Sequence, residues 1–347
     1  MRDELDISLE APILVTGGAG FIGSRVVKNL VDRGFKHVRC FSRRPLPGQG
    51  SESGTPRVEW IHGNLHSNDD CARATKGVQV ILHLAAGTGT KSYADAFLNS
   101  VVTTRNLLDA AISDGALKRF VNISSFAVYS NRNNTQSGEL DESCPIAEGS
   151  DRWRDAYTYA KISQDELVAK YGREHGLSCV LIRPGAVYGP GKHSITGRVG
   201  ISPAGLFLHL GGGNSVPFTY VDNCAEAIVL AGLTDGISGE AFNVVDDDLP
   251  SSRQFLAQYK KNVKKFRSVY LPHFVSYLLC LGWEKYYDYS NGQLPKAYSR
   301  ATWHSQWKRT DYRNDKLKDR LGWSPKVSTE VGMKAFFEDC QKGVASA

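Results

Sequence analysis

Apolar residues recur with two periods along the first half of this chain. The run Pro12-Ile-Leu-Val-Thr16 is almost wholly apolar and ends in glycines, after which Phe21, Ile22, Val26, Val27 and Leu30 recur at helical spacing as far as Gly34. This pattern predicts a strand, a tight turn and a helix. Further apolar runs predict strands over 37–41, 58–61, 78–84, 119–123 and 178–182, with helices over 94–113 and 157–175. Strand and helix in alternation predict an α/β fold built on a doubly wound parallel sheet.

Beyond Arg183 the texture changes to Gly/Pro-rich loops, a helix over 222–233 and a Tyr/Trp-rich final third broken by Pro250, Pro272, Pro295 and Pro325. Two lobes are expected. A nucleotide-binding lobe takes 10–185 with a return near 218–245, and a smaller, mainly C-terminal α/β substrate lobe takes 186–217 and 246–340. Polar, turn-rich stretches at 43–56 and 130–149 are expected as surface loops. The apolar stretch 270–281, with Trp283, Tyr286 and Tyr287 beyond it, suits a buried lobe helix first, and a dimer face, membrane-surface patch or substrate lid otherwise.

Composition narrows the function classes. With 41% hydrophobic and 22% charged residues the 347-residue chain is an ordinary globular one, and a net charge of +6 is too dilute to signal a nucleic-acid surface. The seven cysteines never fall at Cys-x-x-Cys spacing, which excludes a disulfide framework or a zinc motif and suits a reducing, cytoplasmic setting. The start Met1-Arg-Asp-Glu-Leu-Asp6 is acidic where a signal peptide would be basic, and no uncharged run is apolar enough to span a bilayer. His62 and His66 straddle a Gly63-Asn64 turn, so no metal site is expected, and Ile123-Ser-Ser-Phe126 lacks the elbow of a serine hydrolase.

Three motifs carry chemistry. Gly17, Gly20 and Gly23 lie between an apolar strand and an amphipathic helix, where bare backbone lets a pyrophosphate approach the helix N-terminus, so a dinucleotide cofactor is expected. The second strand ends in Ser42-Arg43-Arg44, two guanidiniums and a hydroxyl where an NAD-binding chain usually carries an acid. This predicts NADP in preference to NAD. Tyr157 and Lys161 stand four apart on a predicted helix, hence on one face, after a strand ending in Ser124-Ser125. The same spacing at Tyr312 and Lys316 lacks that context and is expected to be surface or core. A cation near Tyr157 would favour its phenolate, and Ser125 would orient the same substrate oxygen.

Glycine turn, serine strand, Tyr-Lys pair and Arg183-Pro-Gly-Ala-Val-Tyr-Gly-Pro-Gly191 occur in order, with Val80-Ile-Leu-His-Leu-Ala-Ala86 between them. In this the chain resembles the extended short-chain dehydrogenase/reductases of the NAD-dependent epimerase/dehydratase type, over nearly its whole length. The resemblance implies a Rossmann-type sheet and a catalytic set of Ser125, Tyr157 and Lys161. It further implies dinucleotide contacts from the turn (Gly17, Gly20, Phe21, Ile22, Gly23), from Asn64, Leu65, Leu84, Ala85 and Ala86, and from Ile123, Tyr157, Lys161, Pro184, Gly185 and Val187. Substrate contacts would come from Thr88, Ser125, Phe126 and Arg198. Family members of this kind suggest a homodimer acting on a small molecule.

Departures bear on the substrate. The adenine-side acid is Asn64, the helix motif Asn-Val-x-Gly-Thr reads Ser100-Val-Val-Thr-Thr104, and Asp151-Arg-Trp-Arg-Asp-Ala-Tyr157 replaces the Pro-x-Ser-Pro-Tyr run typical of nucleotide-sugar epimerases. A nucleotide sugar leads as substrate class, a 3β-hydroxysteroid-like ring alcohol is the alternative, and a silent NADP-binding redox sensor is a third reading. A sugar diphosphate needs basic groups such as Arg198, Lys192 or Arg300 at the site; a sterol needs apolar walls.

Overall fold

A computed structural model describes residues 7–43, 58–87, 92–130, 138–147, 155–290 and 298–345. The chain opens with β1 (Ile13–Thr16), α1 (Gly23–Asp32), β2 (Val38–Ser42), β3 (Val58–His62), α2 (Asn68–Thr75), β4 (Val80–His83) and α3 (Tyr93–Phe97). A π-helical turn (Leu98–Val102) leads into α4 (Thr103–Asp114), β5 (Arg119–Ile123), β6 (Glu139–Leu140), α5 (Ala156–His175), β7 (Cys179–Pro184) and β8 (Ala186–Tyr188). Next come β9 (Gly200–Ile201), β10 (Phe207–His209), β11 (Phe218–Tyr220), α6 (Val221–Leu233), β12 (Ala241–Val244) and α7 (Ser252–Asn262). The chain closes with β13 (Ser268–Tyr270), α8 (His273–Tyr289), α9 (Arg300–Gln306), β14 (Asp311–Tyr312), α10 (Asp315–Leu321) and α11 (Thr329–Ala345).

Seven strands form one parallel sheet in the order β12-β7-β5-β4-β1-β2-β3. Its central strands, such as β1, are buried on both faces, which is why they read as unbroken apolar runs rather than alternating ones. The strand order reverses at β1 and β4, where Thr16 pairs with His83, and the crevice outside such a reversal is where this architecture receives ligands. Helix α1 buries Val26, Val27 and Leu30, and its Asn29 and the Arg33 that follows its last residue reach the buried Glu226 of α6 at 2.8 and 2.7 Å. Burial pushes the Glu226 carboxyl up, but hydrogen bonds from Lys326, Asn29 and Arg33 outweigh it and hold the group at about 2. The helix that opens from the glycine turn is therefore pinned by charge as well as packing.

Two expectations are corrected. The single helix over 94–113 is interrupted by the π turn, where Thr103 and Thr104 hydroxyls donate to the Ser100 carbonyl at 3.1 and 2.6 Å. The 270–287 stretch is not a core helix: α8 buries Ser276, Cys280 and Glu284 and turns most of its large apolar side chains outward.

A Cβ at Gly23 would stand 2.1 Å from the Gly17 carbonyl oxygen, so the turn closes only on glycine. Gly23→Ala is expected to destabilise the protein by about 2 kcal/mol in urea denaturation. An unchanged midpoint would mean that the turn is not closed as described.

Candidate active site

The glycine turn forms the floor of the crevice. Gly17 has φ 71°, and a Cβ there would crowd the Ala85 amide at 3.2 Å. Ile22 begins α1 without a side-chain cap, which leaves the helix N-terminus to a ligand. A bare cradle at an uncapped helix start fits a dinucleotide pyrophosphate. Phe21 is half-buried with the Lys192 ammonium 5.9 Å from its ring centre, and Gly20 lies at the bend. Leu84, Ala85 and Ala86 leave β4 beside this turn, and the Ala85 amide donates to Thr16 Oγ1 at 3.2 Å. On the other side of the crevice Pro184 ends β7, a Cβ at Gly185 would strike the Pro217 carbonyl oxygen at 2.2 Å, and the Val187 carbonyl accepts from Lys192 at 2.9 Å.

Where β2 and β3 end, Arg43, His62, Gly63, Asn64, Asp70 and Arg73 line a cavity of about 290 Å³. Ser42 is the last residue of β2, and Leu65 is buried beneath, with its carbonyl accepting from Asn106 at 2.9 Å. The Asn64 amide and the Arg73 guanidinium hold the Asp70 carboxyl below its ordinary range. Arg44 and Thr88 lie outside the described residues.

Ser125, Tyr157 and Lys161 come together at the C-terminal end of β5. Ser125 caps a short 3₁₀ turn by accepting from the Ala127 amide at 3.2 Å, and its hydroxyl is near enough to the Tyr157 phenol to favour the phenolate. Asp155 caps α5 by accepting from the Thr158 amide at 2.9 Å, which sets the first turn that carries Tyr157. Lys161 is buried; its Nζ donates to the Ile123 carbonyl at 2.5 Å and to Gln164 Oε1 at 2.9 Å. Burial lowers its pKa to about 8, with Asp165 working in the opposite direction. The expected lowering of Tyr157 by Lys161 is not found. Burial raises the phenol, and the Ser125 hydrogen bond only partly offsets it.

Behind this set runs a polar seam that the motifs did not reveal. Thr104 Oγ1 donates to the Ser100 carbonyl and accepts from Gln164 Nε2 at 2.7 Å, while His83 Nε2 lies 2.8 Å from Thr104 Oγ1 and His83 Nδ1 lies 2.8 Å from Thr16 Oγ1. With the Thr104 proton committed, His83 carries its proton on Nε2 and accepts from Thr16 at Nδ1. Ser124 and Asn122 donate to the buried Asp165 at 2.6 and 3.0 Å, and Arg183 lies 3.7 Å from it. Lys161, Gln164 and Asp165 occupy one face of α5 at i, i+3 and i+4. Polar residues on a buried helical face were the available sequence signal.

Phe126 and Arg198, expected on the substrate side, are engaged elsewhere, as is Arg300. Phe126 is buried and stacks on Tyr312 with centroids 5.6 Å apart, so Tyr312 belongs to the core, as expected. Arg198 is buried and donates to the Ser305 carbonyl at 2.8 Å and the Tyr312 hydroxyl at 3.2 Å, while Arg300 pairs with Glu284 at 2.7 Å. His62 and His66 find Arg43 and Asn99, and no cluster of metal-ligating side chains occurs among the described residues.

Comparison with known proteins agrees with this architecture. A model of the NAD dependent epimerase/dehydratase family matches residues 13–244. The chain belongs to that family, and with it to the extended short-chain dehydrogenase/reductases. It is 26% identical to a 3beta-hydroxysteroid-dehydrogenase/decarboxylase isoform 1 of Arabidopsis thaliana, over 92% of this chain and 77% of the relative. It is 35% identical to a 3 beta-hydroxysteroid dehydrogenase/Delta 5-->4-isomerase of Mycobacterium tuberculosis, over 53% of this chain and 49% of that one. Among solved structures, the UDP-glucuronic acid 4-epimerase of Bacillus cereus, in complex with UDP-glucuronic acid and NAD, shares the fold with a TM-score of 0.71. The identity there is 23%, covering 95% of this chain and 99% of that one.

Burial lowers the His83 pKa to about 3, with the Lys161 charge adding to the effect. An unfolded imidazole charges near pH 6.5 and the folded one does not, so this residue makes stability fall as pH drops below about 6.5. His83→Asn is expected to flatten the decline by about 2 kcal/mol between roughly pH 6.5 and 5, read by urea denaturation at each pH. An identical slope in the variant would place His83 outside the seam.

Proposed function

We propose that the protein transfers hydride between NADP(H) and a secondary alcohol or its ketone. The observation that carries the reading is the Ser125–Tyr157 hydroxyl pair beside a buried Lys161, at the mouth of a crevice floored by the glycine turn. The dinucleotide, when bound, supplies or takes up the hydride. Tyr157 exchanges a proton with the substrate oxygen, Ser125 orients that oxygen, and the Lys161 ammonium, turning from Ile123 and Gln164 towards the ligand, provides positive charge. With its phenol raised, Tyr157 is a proton donor at neutral pH. Ketone reduction therefore proceeds across the neutral range, and alcohol oxidation gains as pH rises.

Arg43 at the cavity beyond β2 supports NADP as the preferred dinucleotide, since a guanidinium there suits a 2′-phosphate, while NAD remains the weaker ligand. For the substrate, the engagement of Arg198 and Arg300 within the protein favours an apolar ring alcohol of the 3β-hydroxysteroid kind, in keeping with the names of the curated relatives. The second reading, a nucleotide sugar, is supported by solved neighbours in complex with UDP-glucuronic acid and by the family itself.

Tyr157→Phe is expected to cut turnover of an identified ketone at least about 100-fold with dinucleotide affinity kept within roughly twofold. Full turnover in that variant would remove Tyr157 from the reaction. Arg43→Ala should weaken NADP about tenfold and leave NAD alone, as read by titration calorimetry; an unchanged affinity ratio would make Arg43 a bystander. Competition separates the substrate readings: inhibition by a 3-ketosteroid but not by UDP supports the ring alcohol, and the reverse supports the nucleotide sugar.

A further inference from the structure

Helix α8 is amphipathic in the reverse sense. Its polar Ser276 and Glu284 face inward, where Ser276 accepts from Trp303 Nε1 at 2.9 Å and Glu284 pairs with Arg300 of α9, while its outward face carries Phe274, Leu278, Leu279, Tyr286 and Tyr289. Phe274 is 72% exposed, Leu279 58% and Tyr289 85%, values that a surface helix of a free-standing protein does not ordinarily show for such side chains. At about 100° per residue these positions fall within an arc of roughly 140°, a continuous stripe whose one charge is Lys285. The preceding strand β13 also exposes Val269 and Tyr270.

The segment leading into β13 reads Lys260-Lys-Asn-Val-Lys-Lys-Phe-Arg267, in which Lys261, Lys264, Lys265 and Arg267 are exposed. Cations one short strand ahead of an apolar stripe in the chain, with tyrosines towards its end, are the chemistry of an interfacial helix: apolar side chains enter the acyl boundary, ammonium groups meet anionic headgroups and phenols sit at headgroup level. A second copy of the chain is a poorer occupant, because a two-fold contact through this face would bring like charges towards one another.

We propose that α8, β13 and the 260–267 basic segment form a docking surface for an anionic membrane, on which the protein lies without spanning it. Among the described residues no helix is long and apolar enough to cross a bilayer. The surface uses none of the residues assigned to hydride transfer, and it stands whichever substrate class proves correct.

The test is co-sedimentation of the intact protein with vesicles of phosphatidylcholine alone and of phosphatidylcholine with phosphatidylserine. The wild type is expected to pellet with the phosphatidylserine vesicles and to be released by high salt. Phe274→Ser/Leu279→Ser and, separately, Lys261→Glu/Lys264→Glu/Lys265→Glu should each weaken binding at least about tenfold. Retained NADP binding by both variants shows that they are folded. No pelleting of the wild type, or equal pelleting of the variants, overturns the proposal. So does a dimer, seen by sedimentation equilibrium, that Phe274→Ser/Leu279→Ser converts to monomer, since the stripe would then belong to a second copy.

Discussion

A side-chain ammonium withdrawn from water must be given acceptors, and much of this site's construction follows from that requirement at Lys161. The Ile123 carbonyl at the end of β5 supplies one acceptor and Gln164, a turn further along α5, supplies the other. Gln164 is then held by Thr104, Thr104 is placed by the π turn that closes on Ser100, and His83 joins Thr104 to Thr16 on the strand that enters the glycine turn. The glycine turn and α5 are thus tied by a buried line of hydrogen bonds rather than by apolar packing alone. Such a line tolerates little displacement, because each member that loses its partner keeps its desolvation cost.

The same line keeps His83 and Lys161 away from water. Burial first, and the Lys161 charge beside it, keep this imidazole neutral between its two hydroxyl partners. Lys161 is held by a carbonyl and an amide oxygen, and with a pKa near 8 its charge survives burial at neutral pH. Tyr157 differs. Its own burial, and then the nearby carboxylates Asp155 and Asp165, raise it, and Ser125 offsets only part of that rise.

Much of the frame was legible in the sequence. The glycine turn, the strands and the Tyr157–Lys161 helix follow from local periodicity and from residue types that few other conformations use, and the sheet is built from them. What was not legible depends on partners distant in sequence. The π turn at 98–102 has no periodic signature, because it is stabilised by threonine hydroxyls and by Ser100 accepting from the Gly87 amide. Arg198 and Arg300 look like free cations in sequence, and only the fold shows them spent on Ser305, Tyr312 and Glu284. The 270–287 stretch was hydrophobic enough for a core, yet its polar residues took the inner face because Trp303 and Arg300 offered them partners there.

The central claim is that this crevice moves hydride to a ring carbonyl while Tyr157 supplies the proton. It is tested most directly by mixing the protein with NADPH deuterated at the transferable position and a panel of 3-ketosteroids and UDP-4-keto sugars, followed by mass spectrometry of the alcohols formed. The account predicts deuterium on the carbinol carbon of one substrate class with the wild type and almost none with Tyr157→Phe. Wild-type protein that binds the dinucleotide but passes no deuterium to any ring ketone would contradict it, as would label transfer undiminished in Tyr157→Phe.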